Sequence, residues 1–108
     1  MKRGDIVIVT TAGEYGKPRP AVVVQSDSLR NVDSVLVSLV SSTQRDAPLF
    51  RLFIEPLPSN GLKVKSQVMV EKTAAIPRAK CGKIIGRLDE GSMVALNSMI
   101  SFVFGLAD

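Results

Sequence analysis

The sequence predicts a mostly β fold with a C-terminal helix: a small, strongly bent antiparallel sheet or barrel, closed by that helix. Three observations predict it. Short apolar runs rich in Val and Ile recur through most of the chain, separated by Gly, Pro and charged residues. Past Asp89 the apolar spacing changes from alternation to steps of three and four. The length of 108 residues leaves room for one domain, residues 1–108, able to bury roughly two-thirds of its unfolded surface.

The first strand is Asp5-Ile6-Val7-Ile8-Val9-Thr10, where β-branched residues dominate. Thr11 to Pro18 holds two glycines, a proline and mixed charge, and reads as a mobile loop. Arg19-Pro20 opens the second strand, Ala21 to Gln25, and Pro20 is tolerated there only at a strand start or on an edge. A polar connection, Ser26 to Asp33, leads to the third strand, Ser34 to Val40. After the polar stretch Ser41 to Asp46, Leu49 to Glu55 alternates Phe50, Leu52 and Ile54 with Arg51, Phe53 and Glu55, a partly exposed strand. Ser59-Asn60-Gly61 marks a tight turn. Ser66 to Glu71 is a fifth short strand, and a sixth extended piece is expected near Ala74-Ala75-Ile76. Met93, Leu96, Ile100 and Val103 then recur at helical spacing, with Asp89 as N-cap and Gly105 as the C′ stop.

Composition narrows the chemistry. Fourteen Lys and Arg against ten Asp and Glu give a net charge of +4 and a pI near 9.6, compatible with a polyanion partner. No run reaches the roughly 18 to 20 apolar residues of a membrane helix, so no membrane role is expected. The start Met1-Lys2-Arg3-Gly4-Asp5 lacks the apolar core of a signal peptide, and a single cysteine allows no internal disulfide; a cytoplasmic location is expected. There is no histidine, which removes the usual neutral-pH base and, with one Cys, any ordinary zinc site. No cofactor and no metal are expected. Cys81 is either a reactive thiol or a small residue in a surface turn, and without a His to activate it the turn is the better reading. Any chemistry falls to Arg, Lys, Ser/Thr, carboxylates, Tyr15 or the backbone.

Several segments together resemble the MazF/PemK/Kid family of toxins. They are Gly4-Asp5 leading a strand, a Gly-rich loop, and then Lys17-Pro18-Arg19-Pro20-Ala21-Val22-Val23-Val24-Gln25-Ser26-Asp27. The runs Arg45 to Arg51 and Ser66 to Glu71 fit as well, as does Ile85-Gly86-Arg87-Leu88-Asp89 followed by a helix. The similarity spans essentially the whole chain. It implies an SH3-like small barrel of the CcdB/MazF toxin type, a homodimer, and a groove for single-stranded RNA. It also implies a cognate antitoxin whose disordered tail fills that groove. The implied activity is sequence-specific, metal-independent cleavage of mRNA to 2′,3′-cyclic phosphate and 5′-OH ends.

The resemblance implies three catalytic residues. Arg19, pinned between prolines where the glycine loop meets the strand, would hold the phosphorane; without the resemblance a solvated strand-start arginine is the better reading. Ser41, at the run-out of the third strand, would bond the scissile phosphate, with Ser42 and Thr43 offering the same group nearby. Glu71 matches an acidic position of Kid-like members, with an ion-paired structural carboxylate as the alternative. The chain departs from the Kid pattern in having Met69 where an arginine is usual and no histidine in the first loop, which leaves base and acid open. The implied RNA contacts are Lys17, Pro18, Gln25, Ser42, Arg45 and Gln67, with Arg51, Lys63 and Lys65 as further phosphate-track candidates. Tyr15 or Phe50 could stack a base, although Phe50 in an alternating strand reads as core. Two other readings share these features: a CcdB-like gyrase poison, from the Phe102-Val103-Phe104-Gly105-Leu106 ending, and a non-catalytic SH3-like module binding RNA or peptide.

Overall fold

Alternating apolar residues form six antiparallel strands that sort their side chains onto two separate cores. The computed structural model describes residues 1–11 and 17–108. Its elements are β1 (Asp5–Thr10), β2 (Pro18–Val23), β3 (Ser34–Ser41), β4 (Arg51–Ile54), β5 (Ser66–Pro77), a 3₁₀ turn (Arg78–Lys80), β6 (Cys81–Arg87) and α1 (Glu90–Val103). The spatial order is β4-β5-β3-β2-β1-β6. β2 meets β3 only from Ala21 onward, so Pro18 and Pro20 fall where the strand has β1 alone beside it and their missing N–H groups cost no ladder bond.

The first core holds Ile6, Val22, Val40, Leu52, Val68, Val70 and Leu88, covered by α1 through the fully buried Leu96 and its neighbours Met93, Met99, Ile100 and Val103. The second lies on the opposite side chains of the same strands: Val7, Val9, Ala21, Val23, Val35, Val37 and Ile76. β5 passes through the 3₁₀ turn straight into β6, which pairs with β1, so β6-β1-β2-β3-β5 wrap this second core. Among the described residues no ladder joins the two edges of the sheet, so strand pairing does not close it into the expected barrel.

On the other side, the loop after β4 closes the gap. Ser59 O accepts from Arg87 N at 3.0 Å. A Cβ on Gly61 would stand 2.1 Å from Ile85 O, and one on Gly86 would stand 2.5 Å from Asn60 Cα. Gly61 also has φ +71, so both glycines permit a backbone crossing that no side chain would allow. Asn60, 4% exposed, pins this loop by accepting from Leu57 N and Leu62 N and donating to Glu55 O.

Three strand expectations are corrected. The fifth strand and the extended piece near Ala74 are one strand, β5, with a wide bulge: Ser38 faces Thr73 and Val40 faces Val68, leaving four β5 residues against Leu39. The sixth strand is Cys81–Arg87, and Cys81 is its first residue, opposite Val9, rather than part of a turn. β4 begins at Arg51, because Ala47 O accepts from both Phe50 N and Arg51 N and turns the chain before it; Phe50 is half-buried.

The helix ends match expectation. Asp89 accepts from Ser92 N at 2.7 Å. Gly105, φ +70, completes a paired cap in which Gly105 N donates to Phe102 O and Leu106 N to Ser101 O. The Phe-Gly-Leu ending is thus the helix stop. No helix among the described residues is long and apolar enough to cross a membrane.

Candidate functional site

Strand registers bring the two leading candidates together. Ala21 lies opposite Leu39, so the next same-face positions along β2 and β3 are Arg19 and Ser41. Both line a cleft of about 500 Å³, together with Ser42, Thr43 and Lys63. Its apolar walls include Ile8, Val40, Leu62, Val64 and Ile85, which the sequence had offered only as core or loop residues. Ser41 Oγ accepts from Thr43 N at 3.0 Å, which leaves its hydroxyl proton available to an anion in the cleft. The geometry is a guanidinium and hydroxyl groups facing one space, with an ammonium at its rim.

The two walls are held by polar side chains. Gln67 grips the backbone of Arg45 with both ends of its amide, Arg45 N donating to Oε1 at 3.1 Å and Nε2 donating to Arg45 O at 2.9 Å. Gln44 Nε2 ties the same loop to Lys65 O at 3.3 Å. Gln67 is therefore a buried clamp on the Ser42–Asp46 loop, and the Arg45 side chain points from that loop, exposed. The wall across from it, residues 61–64, is the loop pinned by Asn60.

The remaining candidates lie elsewhere. Gln25 is 7% exposed and occupied at both ends, donating to Leu29 O and accepting from Leu36 N, at the far end of β2 from Arg19. Glu71 sits in the β5 bulge and does not line the cleft; Arg51 Nε reaches its two oxygens at 2.9 and 2.8 Å, with a further contact from Arg51 NH2. Arg51 faces Met69 across β4 and β5 and its side chain is only 7% exposed, so it serves this ion pair rather than an open phosphate track. Lys17, Pro18 and Lys65 are exposed beside the cleft-forming segments without lining the cleft. Tyr15 lies outside the described residues. The Cys81 thiol is pushed above its ordinary pKa by burial, opposed by the nearby Arg78 charge.

Residues 2–104 match the family described as PemK-like, MazF-like toxin of type II toxin-antitoxin system. The chain belongs to this toxin family. It is 38% identical over 108 residues, 99% of both chains, to a protein of Mycolicibacterium smegmatis named "Probable endoribonuclease MazF". Among solved structures, the Mycobacterium tuberculosis toxin MazF-mt6 superposes with a TM-score of 0.81 at 25% identity, covering 94% of this chain and 96% of that one. A MazE–MazF structure from Deinococcus radiodurans gives 0.79 at 15% identity, covering 98% and 96%, a likeness of fold. In this MazF-like chain the cleft combines what phosphate chemistry needs. Arginine stays charged at all relevant pH and offers parallel donors to two phosphate oxygens, while hydroxyl groups add neutral donors. A ligand lying against the apolar walls would displace water and strengthen both.

Proposed function

We propose that this MazF-like toxin is a sequence-specific endoribonuclease that cuts single-stranded mRNA without a metal, using the Arg19–Ser41 cleft. The observation carrying the reading is that Arg19 and Ser41, from different strands, line one cleft with Lys63 at its rim. The M. smegmatis relative is named an endoribonuclease, and one structural neighbour is an endoribonuclease bound to its cognate antitoxin. By the same reading this domain, residues 1–108, acts in the cytoplasm as a homodimer, and its antitoxin inserts a disordered tail into the RNA groove.

In the reaction the ribose 2′-oxygen bonds to the adjacent phosphorus and the bond from phosphorus to the 5′-oxygen breaks. The 2′ proton leaves to water, and a proton from water reaches the departing 5′-oxygen. Charge accumulates on the non-bridging oxygens of the phosphorane, where the Arg19 guanidinium and the Ser41 and Ser42 hydroxyls act. Removing one such donor typically costs on the order of 100- to 1,000-fold in rate. Glu71, held by Arg51 outside the cleft, acts in this scheme on the water that takes the 2′ proton. Lys17, Arg45 and Lys63 carry the flanking phosphates, Pro18 offers an apolar contact beside them, and Gln25 and Gln67 hold the connections around the strand.

The test is to incubate partner-free protein with a long single-stranded RNA in excess EDTA and map the product ends, with Arg19→Ala alongside. Discrete cuts ending in 2′,3′-cyclic phosphate, lost in the folded variant, are expected. Intact RNA with folded wild-type protein overturns the reading.

A further inference from the structure

A second cleft, of about 380 Å³, opens at the opposite end of β2 and β3. Val23 and Val35 form its floor with the half-exposed Leu29, and Lys2, Arg30 and Arg78 stand around it. From Ser41 to Val35 along β3 is six residues, about 20 Å at ~3.3 Å per residue, so this cleft is distinct from the one holding Arg19.

Its cations are held but not neutralised. Arg30 Nε donates to Asp27 O and Arg78 Nε to Val32 O, both at 3.1 Å, at two points of the same connection between β2 and β3. Among the described residues, the terminal nitrogens of both guanidinium groups have no protein partner, nor does the Lys2 ammonium. One carboxylate lines the cleft, Asp27, and it accepts from Arg3 N at 2.8 Å. Three positive groups therefore face one carboxylate, with the arginine forks oriented in advance by their Nε anchors. Like charges gathered this way repel one another, and a bound anion relieves that cost. Preorganised guanidinium forks match phosphate oxygens, and the volume is that of a small-ligand site.

We propose that this cleft binds a nucleotide, its phosphate held by Lys2, Arg30 and Arg78. The apolar floor takes the nucleoside, whose base can also lie on a guanidinium plane. The same chemistry is presented by a free nucleoside monophosphate and by the 5′-phosphate end of an RNA strand. Neither requires that the first cleft cut RNA.

The experiment follows backbone amides of the full chain by NMR during titration with inorganic phosphate, a nucleoside 5′-monophosphate, and short 2′-O-methyl oligonucleotides with and without a 5′-phosphate. These oligonucleotides lack the attacking hydroxyl, so cleavage does not enter the result. The nucleotide is expected to shift Leu29, Arg30 and Arg78 amides and to bind more tightly than phosphate alone. Lys2→Gln with Arg30→Gln is expected to weaken binding at least tenfold at an unchanged melting temperature. Preference for the 5′-phosphorylated oligonucleotide over the monophosphate assigns the strand end; the reverse assigns the free nucleotide. Shifts confined to the Arg19 cleft, no shifts at all, or unchanged affinity in the double variant overturn the proposal.

Discussion

The Arg51–Glu71 pair is asymmetric in burial, and that asymmetry has a measurable consequence. The Arg51 side chain is 7% exposed and that of Glu71 30%. Replacing Glu71 by Ala strands a guanidinium that water reaches poorly, and breaking a buried pair from that side costs about 3–5 kcal/mol. Replacing Arg51 by Met keeps an apolar stem of similar length in the same space, and the freed carboxylate turns to solvent. The loss is then that of charged hydrogen bonds, about 1.5–3 kcal/mol. Glu71→Ala should therefore be the costlier change by about 2 kcal/mol, or roughly 10 °C in Tm for a chain of this size.

Adding Arg51→Met to Glu71→Ala removes the stranded charge and should restore part of the loss, a coupling that a double-mutant cycle reads directly. Urea unfolding of the four proteins at pH 7 is the assay. The reasoning is refuted if Arg51→Met costs as much as Glu71→Ala, or if the double variant is no more stable than Glu71→Ala alone. The same double variant addresses catalysis, because it lacks the Glu71 carboxylate with a smaller folding penalty than Glu71→Ala. Retained RNA cleavage there would make Glu71 a structural carboxylate, and lost cleavage would keep it in the proton-transfer scheme.

Four further outcomes are expected. Gly61→Ala combines a left-handed backbone with a Cβ driven against Ile85 O, and should destabilise by about 2–4 kcal/mol in thermal melts; a loss under 1 kcal/mol would mean the loop is not seated against β6. Cys81, its thiol raised by burial despite the opposing Arg78, should be alkylated by iodoacetamide at pH 8 more slowly than after unfolding in urea. The proton is held more tightly in the folded chain, so stability should fall slightly as pH rises through the ordinary thiol range, a trend absent in Cys81→Ala. Gln67→Ala should slow cleavage at every RNA site alike by loosening the Arg45 loop; a changed cut-site preference would instead make Gln67 a reader of bases.

The parts of the fold visible in the sequence are those set by local rules. β1 is a β-branched run, and α1 is bounded by an Asp that caps and a Gly that stops it, each signal lying within a few residues of the feature it sets. What was hidden depends on distant partners. Glu71-Lys72-Thr73 looks like a break between strands, yet a wide bulge lets β5 run through it while Glu71 finds Arg51, 20 residues away. Gly82, Lys83 and Gly86 disguise β6, because Gly86 answers to Asn60 crossing over it. The candidate cleft was half legible: Arg19 and Ser41 followed from family resemblance, whereas its apolar walls are made by residues that pattern assigns to strand interiors or a turn.

The amides show why polar residues are the hardest to assign from sequence. Gln25 and Gln67 each carry donors and an acceptor suited to a base edge, and nothing local says whether these are free. In the fold both are consumed by backbone, one between Leu29 and Leu36, the other on Arg45. A buried amide with a backbone partner at each end resists being pulled away, since an RNA contact would leave those partners unsatisfied at about 1–3 kcal/mol each. Specificity is then better served from loops that such amides hold in place than from the amides themselves. The cleft is bounded accordingly, by one loop clamped through Gln67 and another pinned through Asn60, with Arg19 fixed on a strand between proline residues. On the proposed mechanism the chemistry belongs to the strand ends that carry Arg19 and Ser41, and variation in the two clamped loops would then change which RNA is cut without disturbing those groups.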